Sequence, residues 1–583
     1  MLNRSVLLLL QLLWFAGPGG RACARDIWRS PTFALPASNA SSRDDLSEVE
    51  RIYAYAIELQ DRADESCVDF FFAAARLTIN ADGVPIQTGD QRVGRARQLH
   101  QSSLQKLVIT GQQYGRLDPR SGLTVIQCGK VVRIPIRHRG FVWQAEDFDF
   151  LSAVGDYQTA KLSKYYARPG VGIPLVVSSC RRQDRSFRPR ESVFAATMRL
   201  EDSQQPDPIT DRCSQHFNWS RQTLAIALYD PLRVDTVQVG AMPCPIAKDL
   251  SAPIVYRLST RQGGVFEGFL QPFATGPRLG ISGARLYTLE PYQPGKIPVV
   301  FIHGLLSDRF TWAEMVNELK ARPGFDERFQ IWVFEYPTGR TFLGSAAELR
   351  SQLETMCRRF DPCGRDPQLS NVILAAHSMG GLVAKMQITS SGDLLWRSVA
   401  DRTFDQVSMT PMTRQRLAET FFFDPSPRIS RVVYFATPHR GSEFAARLIG
   451  RIGSACVEEP ENEVRMHRML ITANPDVFAR EVRRRIPTSL DLLEPQSKLL
   501  QASDRLPIRC GVVTHSIIGA HCWTLSLGRS DGVVSVESAR DRNATTERLV
   551  EATHSRVKSA PEAVEEFLAI LKWHRGSGIG LEP

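Results

Sequence analysis

The chain has 583 residues, of which 43% are hydrophobic and 23% charged, and a formal net charge of +10 at pH 7. That length exceeds one domain. The basic excess lies in scattered clusters such as Arg181-Arg182 and Arg483-Arg484-Arg485, without interleaved aromatics. It argues against nucleic acid as a partner and fits either peripheral contact with an anionic membrane or a solvated face.

Met1-Leu-Asn-Arg4 precedes an apolar run from Val6 to Ala16 that is too short to span a bilayer. This pattern predicts a secretion signal over residues 1–24, with Ala22-Cys23-Ala24 as the small-x-small cleavage site and Arg25 as the new N-terminus. A rival reading makes Cys23 a lipid-anchored cysteine, but Arg21 suits that poorly and plain cleavage is favoured. Export to a periplasm, cell envelope or extracellular space is expected. The eleven cysteines become ten without Cys23, an even number compatible with disulfides. Cys357 and Cys363 are near neighbours and candidates for a pair, against the alternative of several free buried thiols. No later apolar run approaches about 18 residues, so no transmembrane helix is expected. Asn39-Ala-Ser41 and Asn218-Trp-Ser220 match the glycan-acceptor pattern.

A polar linker covers about Ser30 to Asp45. Leu46 to Arg76 reads as helix through Ile52, Tyr55, Ala56, Leu59 and Phe70 to Phe72. From Leu123 onward strands dominate: Leu123 to Gln127, Val131 to Ile136, Ile173 to Val177, Ser192 to Leu200, Thr223 to Leu228 and Val234 to Val239. These predict an α+β or β-rich accessory domain over residues 25–275, with no catalytic constellation and no internal repeat. A second domain is expected over 276–576, beginning shortly before Pro291-Tyr-Gln-Pro-Gly295.

In that second half, a β-branched run from Ile297 to Ile302 ends in His303-Gly304-Leu305. Thr311 to Leu319 has helical spacing, Gln330 to Tyr336 is a strand, Pro337 to Gly339 a turn, and Ser345 to Arg359 a helix. Next, Val372 to Ala376 runs into His377-Ser378-Met379-Gly380-Gly381 and a helix from Leu382. Alternating strands and helices predict a mostly parallel, doubly wound sheet. Ala-x-Ser-x-Gly between strand and helix is a nucleophile elbow. The sharp turn exposes the hydroxyl and sets the following N–H groups at a helix N-terminus, where negative charge is favoured. Ala376 replaces the usual first glycine with the smallest side chain. The backbone N–H groups of Leu305 and Met379 are the candidate oxyanion donors, each worth roughly 3 kcal/mol in such sites. His303 is expected to hold its loop rather than move protons.

Arg431 to Ala436 reads as the next strand, opening into Thr437-Pro438-His439-Arg440-Gly441-Ser442. Cys510 to Gly519 is again strand-like, Ser530-Asp531-Gly532 and Thr553-His554-Ser555 follow, and Pro561 to Lys572 is a closing amphipathic helix. An aspartate before glycine is commonly a turn residue. Placed after successive strands in the order Ser378, Asp531, His554, however, these residues read as nucleophile, acid and base. His439 and Arg440 either line a pocket or bind an acidic head group, or hold their loop; the last reading is favoured, as a structural role is for His515. Insertions at about 389–428 and 443–509 follow strands at the site's end and predict a cap. Within the first, Phe421 to Phe423 is read as an anchor to the core in preference to an acyl-chain contact. No His-Glu-x-x-His, zinc-type spacing or P-loop occurs, so metal and nucleotide chemistry have no sequence support.

Together, His303-Gly304, Ala-His-Ser378-Met-Gly-Gly, Thr-Pro-His439-Arg-Gly-Ser, Ser-Asp531-Gly and Thr-His554-Ser resemble the α/β-hydrolase superfamily, in its lipase and esterase branch. Thr-Pro-His-Arg-Gly-Ser is also similar to a segment of lipase-like inositol deacylases. The resemblance covers about Ile281 to Lys572. It implies an α/β-hydrolase fold with cap insertions and a covalent acyl-enzyme formed from an ester, with lipid-like substrates expected, through Ser378, Asp531 and His554, with no cofactor and no metal. An acyltransferase or amidase would use the same three residues. A catalytically silent envelope binding protein is a third reading, weakened by the presence of all three.

Overall fold

The computed structural model describes residues 43–259 and 284–576, apart from 84–90, 155–161, 180–191, 204–222, 241, 306, 339, 444–460, 485–486, 488 and 525–527. The expected signal segment, the expected boundary near residue 275 and both glycan-acceptor sites lie outside the described residues.

Two seven-stranded sheets organise the chain. In the C-terminal sheet, Ile297–Ile302, Phe329–Glu335 and Val372–His377 are buried at every position. Such runs suit parallel strands covered on both faces. The order across the sheet is Arg285–Thr288, Phe329–Glu335, Ile297–Ile302, Val372–His377, Ile429–Phe435, Val513–Gly519, Ala544–Val550. Only the first strand is antiparallel to its neighbour. One face packs Val300, Ile302, Trp332, Phe334 and Leu374 against the helices Phe342–Phe360 and Met379–Lys385. The other packs Val299, Phe301, Val333, Ile373 and Phe435 against Ala313–Lys320 and the closing helix Pro561–Gly576. Because the chain builds outward from Ile297–Ile302 first to one side and then to the other, the strand order reverses between that strand and Val372–His377. Ligands of open α/β sheets bind beyond the carboxyl ends of the strands at such a point.

Two strands of this sheet escaped the sequence reading. Arg285–Thr288 is short, and Ala544–Val550 carries Thr, Glu and Arg with most positions partly or fully exposed, as an edge strand should. The expected helix over Thr311 to Leu319 is a 3-10 turn, Arg309–Trp312, leading into Ala313–Lys320.

The N-terminal sheet runs Leu117–Asp118, Gly122–Gln127, Lys130–Arg139, Thr223–Tyr229, Ser192–Ser203, Ile173–Ser179, Phe150–Ala153. Its apolar face meets Phe71, Phe72, Leu104, Leu107 and Val108 from helices Cys67–Leu77 and Gln91–Gln113. The helix expected over Leu46 to Arg76 is two helices, Arg43–Asp61 and Cys67–Leu77, separated where Ala63 takes a left-handed φ of 55°. The long helix Gln91–Gln113 was not foreseen, because its glutamines and arginines mask the apolar stripe.

The halves meet along Ala313–Lys320, the helix that follows the His303-Gly304 loop. Tyr166 donates its hydroxyl to Glu318 at 2.6 Å, Ser163 donates to Glu314 at 2.7 Å, and Ser251 donates to the buried Asn317 at 2.8 Å. Asn317 in turn donates to the Lys164 carbonyl at 2.8 Å.

In the insertions, Trp396, Val407, Leu470, Val477 and Phe478 form a small core of their own. Phe421 and Phe422 pack on Trp396, while the Arg350 guanidinium lies 4.1 Å from the Phe423 ring centroid. The triplet therefore anchors its segment. The Cys357–Cys363 pairing is corrected: both thiols are free, because Cys357 faces the core from its helix whereas Cys363 lies exposed in the turn beyond it. Burial pushes the Cys357 thiol up to about 11.

Candidate active site

Ser378 sits between strand Val372–His377 and helix Met379–Lys385 at φ 54° and ψ −129°. A non-glycine residue there is strained, and such strain persists only where its surroundings hold it. The Ser378 N–H donates to the Phe435 carbonyl at 2.8 Å, and the Gly381 N–H returns to the Ser378 carbonyl at 2.9 Å. A Cβ on Gly380 would strike the His303 carbonyl, and one on Gly381 would strike Thr437. The elbow thus needs two glycines after the serine, while the Ala376 methyl is accommodated in the core.

From the serine the polar groups run in one line. His554 Nε2 lies 2.9 Å from Ser378 Oγ, and His554 Nδ1 lies 2.7 Å from Asp531 Oδ2. Asp531 is nearly buried, and its other oxygen accepts from the N–H groups of Val533 at 2.9 Å and Val534 at 2.7 Å. The carboxylate is thereby fixed in direction. With Nδ1–H donated to that carboxylate, His554 Nε2 is left as the acceptor for the serine hydroxyl. The His554 N–H also donates to the Asp531 carbonyl at 3.0 Å, tying base and acid through the backbone as well. Gly519 makes room for this: a Cβ there would lie 2.6 Å from Asp531 Cβ.

Met379 opens its helix, so its N–H is among those with no intrahelical partner. The loop bearing Leu305 lies against the nucleophile, since a Cβ on Gly304 would come within 2.8 Å of Ser378 Cβ. Leu305 itself packs on the core. His303 is fully buried, and burial lowers its proton affinity. The Tyr336 N–H donates to His303 Nε2 at 3.2 Å, which puts the ring proton on Nδ1, 3.0 Å from the Gly304 carbonyl. Tyr336 also donates its hydroxyl to the His303 carbonyl at 2.8 Å and stacks on the ring. His303 holds the loop.

The remaining candidates lie apart from this line. Arg440 donates to the Glu537 carbonyl and faces Asp504 at 3.8 Å, bracing its loop. His439 is fully buried edge-on to Tyr434, and burial with Lys385 and Arg440 nearby holds it well below its ordinary pKa. His515 lies at the opposite end of the sheet. Sequence reasoning missed His377, which occupies the variable position of the elbow motif; only the structure shows that its ring reaches the base. Among the described residues, no group of three or more His, Cys, Asp or Glu side chains is arranged to hold a metal ion.

Residues 299–567 match the model of the alpha/beta hydrolase family. Among solved structures, the chain is similar to the mature lipase BlEst2 of Bacillus licheniformis at 16% identity, over 49% of this chain and 98% of that one, with a TM-score of 0.31. It is similar to the esterase EaEST of Exiguobacterium antarcticum at 13% identity, over 50% and 95%, with a TM-score of 0.28. EstA of Clostridium botulinum aligns at 11% identity over 48% and 88%, with a TM-score of 0.31. No curated protein matches the chain.

Proposed function

We propose that the protein, whose C-terminal half has the α/β-hydrolase fold, is a serine hydrolase of carboxylic esters, acting through Ser378, His554 and Asp531. The observation that carries the reading is the unbroken line from Ser378 Oγ to His554 at 2.9 Å and on to Asp531 at 2.7 Å, set at the reversal point of the sheet.

In this mechanism His554 Nε2 takes the hydroxyl proton as Ser378 Oγ attacks the ester carbonyl. Asp531 holds the imidazole in the required tautomer and stabilises its cationic form without itself becoming protonated. The N–H groups of Met379 and Leu305 receive the oxygen that becomes negative. Collapse of the tetrahedral intermediate breaks the bond to the alcohol, to which His554 returns the proton. Water then attacks the acyl-enzyme by the same route and releases the acid. A lipid-like substrate is supported by the likeness of the motifs to lipases.

The test is turnover of p-nitrophenyl esters of increasing acyl length by the protein and by Ser378→Ala. Hydrolysis that disappears with Ser378 supports the reading, and chain-length preference separates esterase from lipase. Equal inactivity of both proteins on every ester would defeat it and bring amide or acyl-transfer chemistry forward. The reading also places the protein outside the cytoplasm, on the strength of the pattern over Met1 to Ala24. N-terminal sequencing of the mature protein should begin at Arg25; a sequence beginning at Met1 would refute the export.

A further inference from the structure

His377 immediately precedes the nucleophile, at the end of a strand whose residues are all buried. Strand alternation sends its side chain away from that of Ala376, and it reaches the segment carrying the base. His377 Nε2 lies 2.9 Å from the backbone carbonyl oxygen of His554. A carbonyl can only accept, so the ring proton sits on Nε2 and Nδ1 is bare. Nothing among the described residues donates to Nδ1. It faces Gly304, where a Cβ would come within 3.1 Å. The two imidazole rings stand 4.8 Å apart at 44°, and Trp312 closes the far side edge-on at 6.4 Å.

The consequence for the base is specific. His554 is fixed through four atoms: its N–H on the Asp531 carbonyl, Nδ1 on the Asp531 carboxylate, Nε2 on Ser378, and its carbonyl on His377. The first two tie it to the acid. The last ties the base segment directly to the strand that presents the serine, one residue from the nucleophile.

Its charge state matters equally. A cationic His377 would stand beside the imidazolium that forms on His554 during acylation and oppose it. Burial, reinforced by Lys558, His554 and His303, keeps His377 well below its ordinary pKa and hence neutral. Lys558, close on the same segment, is itself lowered to about 8 by burial and donates to the Ser555 carbonyl.

We propose that His377 is a positioning residue for ester hydrolysis, acting as a neutral Nε2–H donor that couples the His554 segment to the nucleophile strand. The proposal rests on the reading of Ser378, His554 and Asp531 given above. It predicts that the loss of this one hydrogen bond lowers kcat and leaves KM nearly untouched, because His377 is buried and bonds the base segment.

The experiment compares His377→Gln with His377→Met in the full chain. The two side chains have similar shape, and only glutamine keeps a donor near the position of Nε2. For Met, kcat should fall about tenfold to a hundredfold, the range a misplaced catalytic group produces, with KM within about twofold. Gln should recover most of that loss. The far-downfield proton resonance of the His554 Nδ1–H bond to Asp531 should persist in the wild type, in Gln and in Ser378→Ala, and broaden or vanish in Met. Equal kcat for wild type, Gln and Met would overturn the proposal while leaving the hydrolase intact. Failure of the wild type to turn over any ester, or to react at Ser378 with a fluorophosphonate, would instead overturn the hydrolase reading. Should neither variant fold, the nitrogen-15 shifts of the wild-type histidines decide: the Nε2–H tautomer at His377 from pH 6 to 9 supports the proposal, and an Nδ1–H tautomer or a cation refutes it.

Discussion

One mostly parallel sheet carries buried histidines at each end of its strands. At the carboxyl end, His554 donates to a carboxylate and accepts from a hydroxyl. At the amino end, Arg431 is buried between two rings: it donates to His515 Nε2 and, at 3.1 Å, to His574 Nδ1, with its guanidinium carbon 5.1 Å from the Trp573 ring centroid. His515 donates its Nδ1–H to Thr546 Oγ1 at 2.7 Å. Both imidazoles there are acceptors to a cation. Burial, then the Arg431 charge, push His515 down to about 3 and His574 down to about 4, while burial lowers Arg431 to about 10. The same side chain thus faces a carboxylate and a hydroxyl at one end and a guanidinium, which opposes its cation, at the other.

This contrast can be broken or sharpened by substitution. The largest effect is expected at the carboxyl end: Ser378→Ala and Asp531→Asn should each lower kcat on a p-nitrophenyl ester by about 10^4-fold or more while the melting temperature stays within a few degrees. A residual rate near wild type in Asp531→Asn would mean that the carboxylate is not what distinguishes the two ends. Gly304→Ala comes next. Its added methyl meets Ser378 Cβ, and displacement of the donor loop should cost about a hundredfold in kcat/KM with the protein still folded.

At the amino end, His515→Leu should leave turnover per folded molecule within about twofold, yet destabilise by about 1–3 kcal/mol in chemical denaturation, because a buried Arg431 donor loses its acceptor. A large loss of turnover without loss of stability would contradict the division. The smallest effect lies in the pH dependence of stability. Both rings have folded-state pKa values of about 3 and 4, below the unfolded value of about 6.5. Their contribution is therefore fully present above pH about 6.5 and is lost as pH falls through the folded values, since the unfolded chain takes up the protons first. Melting temperatures from pH 7 to 4 should decline, and His515→Leu should reduce the protons taken up on unfolding by about one.

The carboxyl end was largely legible from the sequence because its signals are local. A buried strand, a serine and two glycines specify an elbow, and chain order brings Asp531 and His554 to it. The amino end was opaque. Arg431, His515 and His574 stand far apart in the chain and each looks unexceptional alone, so only the parallel register and the closing helix join them. Ala544–Val550 was missed for a related reason: as an exposed edge it carries polar residues that hide its period. His377 shows the opposite failure. It stood inside the most conspicuous motif of the chain, but a pattern that treats its position as variable says nothing of a ring that reaches a backbone carbonyl across 177 residues.

The polar seam where Tyr166, Ser163 and Ser251 grip Glu318, Glu314 and Asn317 bears on how this protein is produced. A chain trimmed to its hydrolase half would surrender every partner named in that seam and bare the helix that follows the His303-Gly304 loop. Asn317 would pass from a satisfied interior position into solvent, together with the apolar neighbours Val316 and Leu289 that face the same junction. Expression of the trimmed half alone would favour aggregation over yield, whereas co-expression of the two halves as separate chains offers a route to reassembly, with residues 163–166 and 251 as the points of attachment.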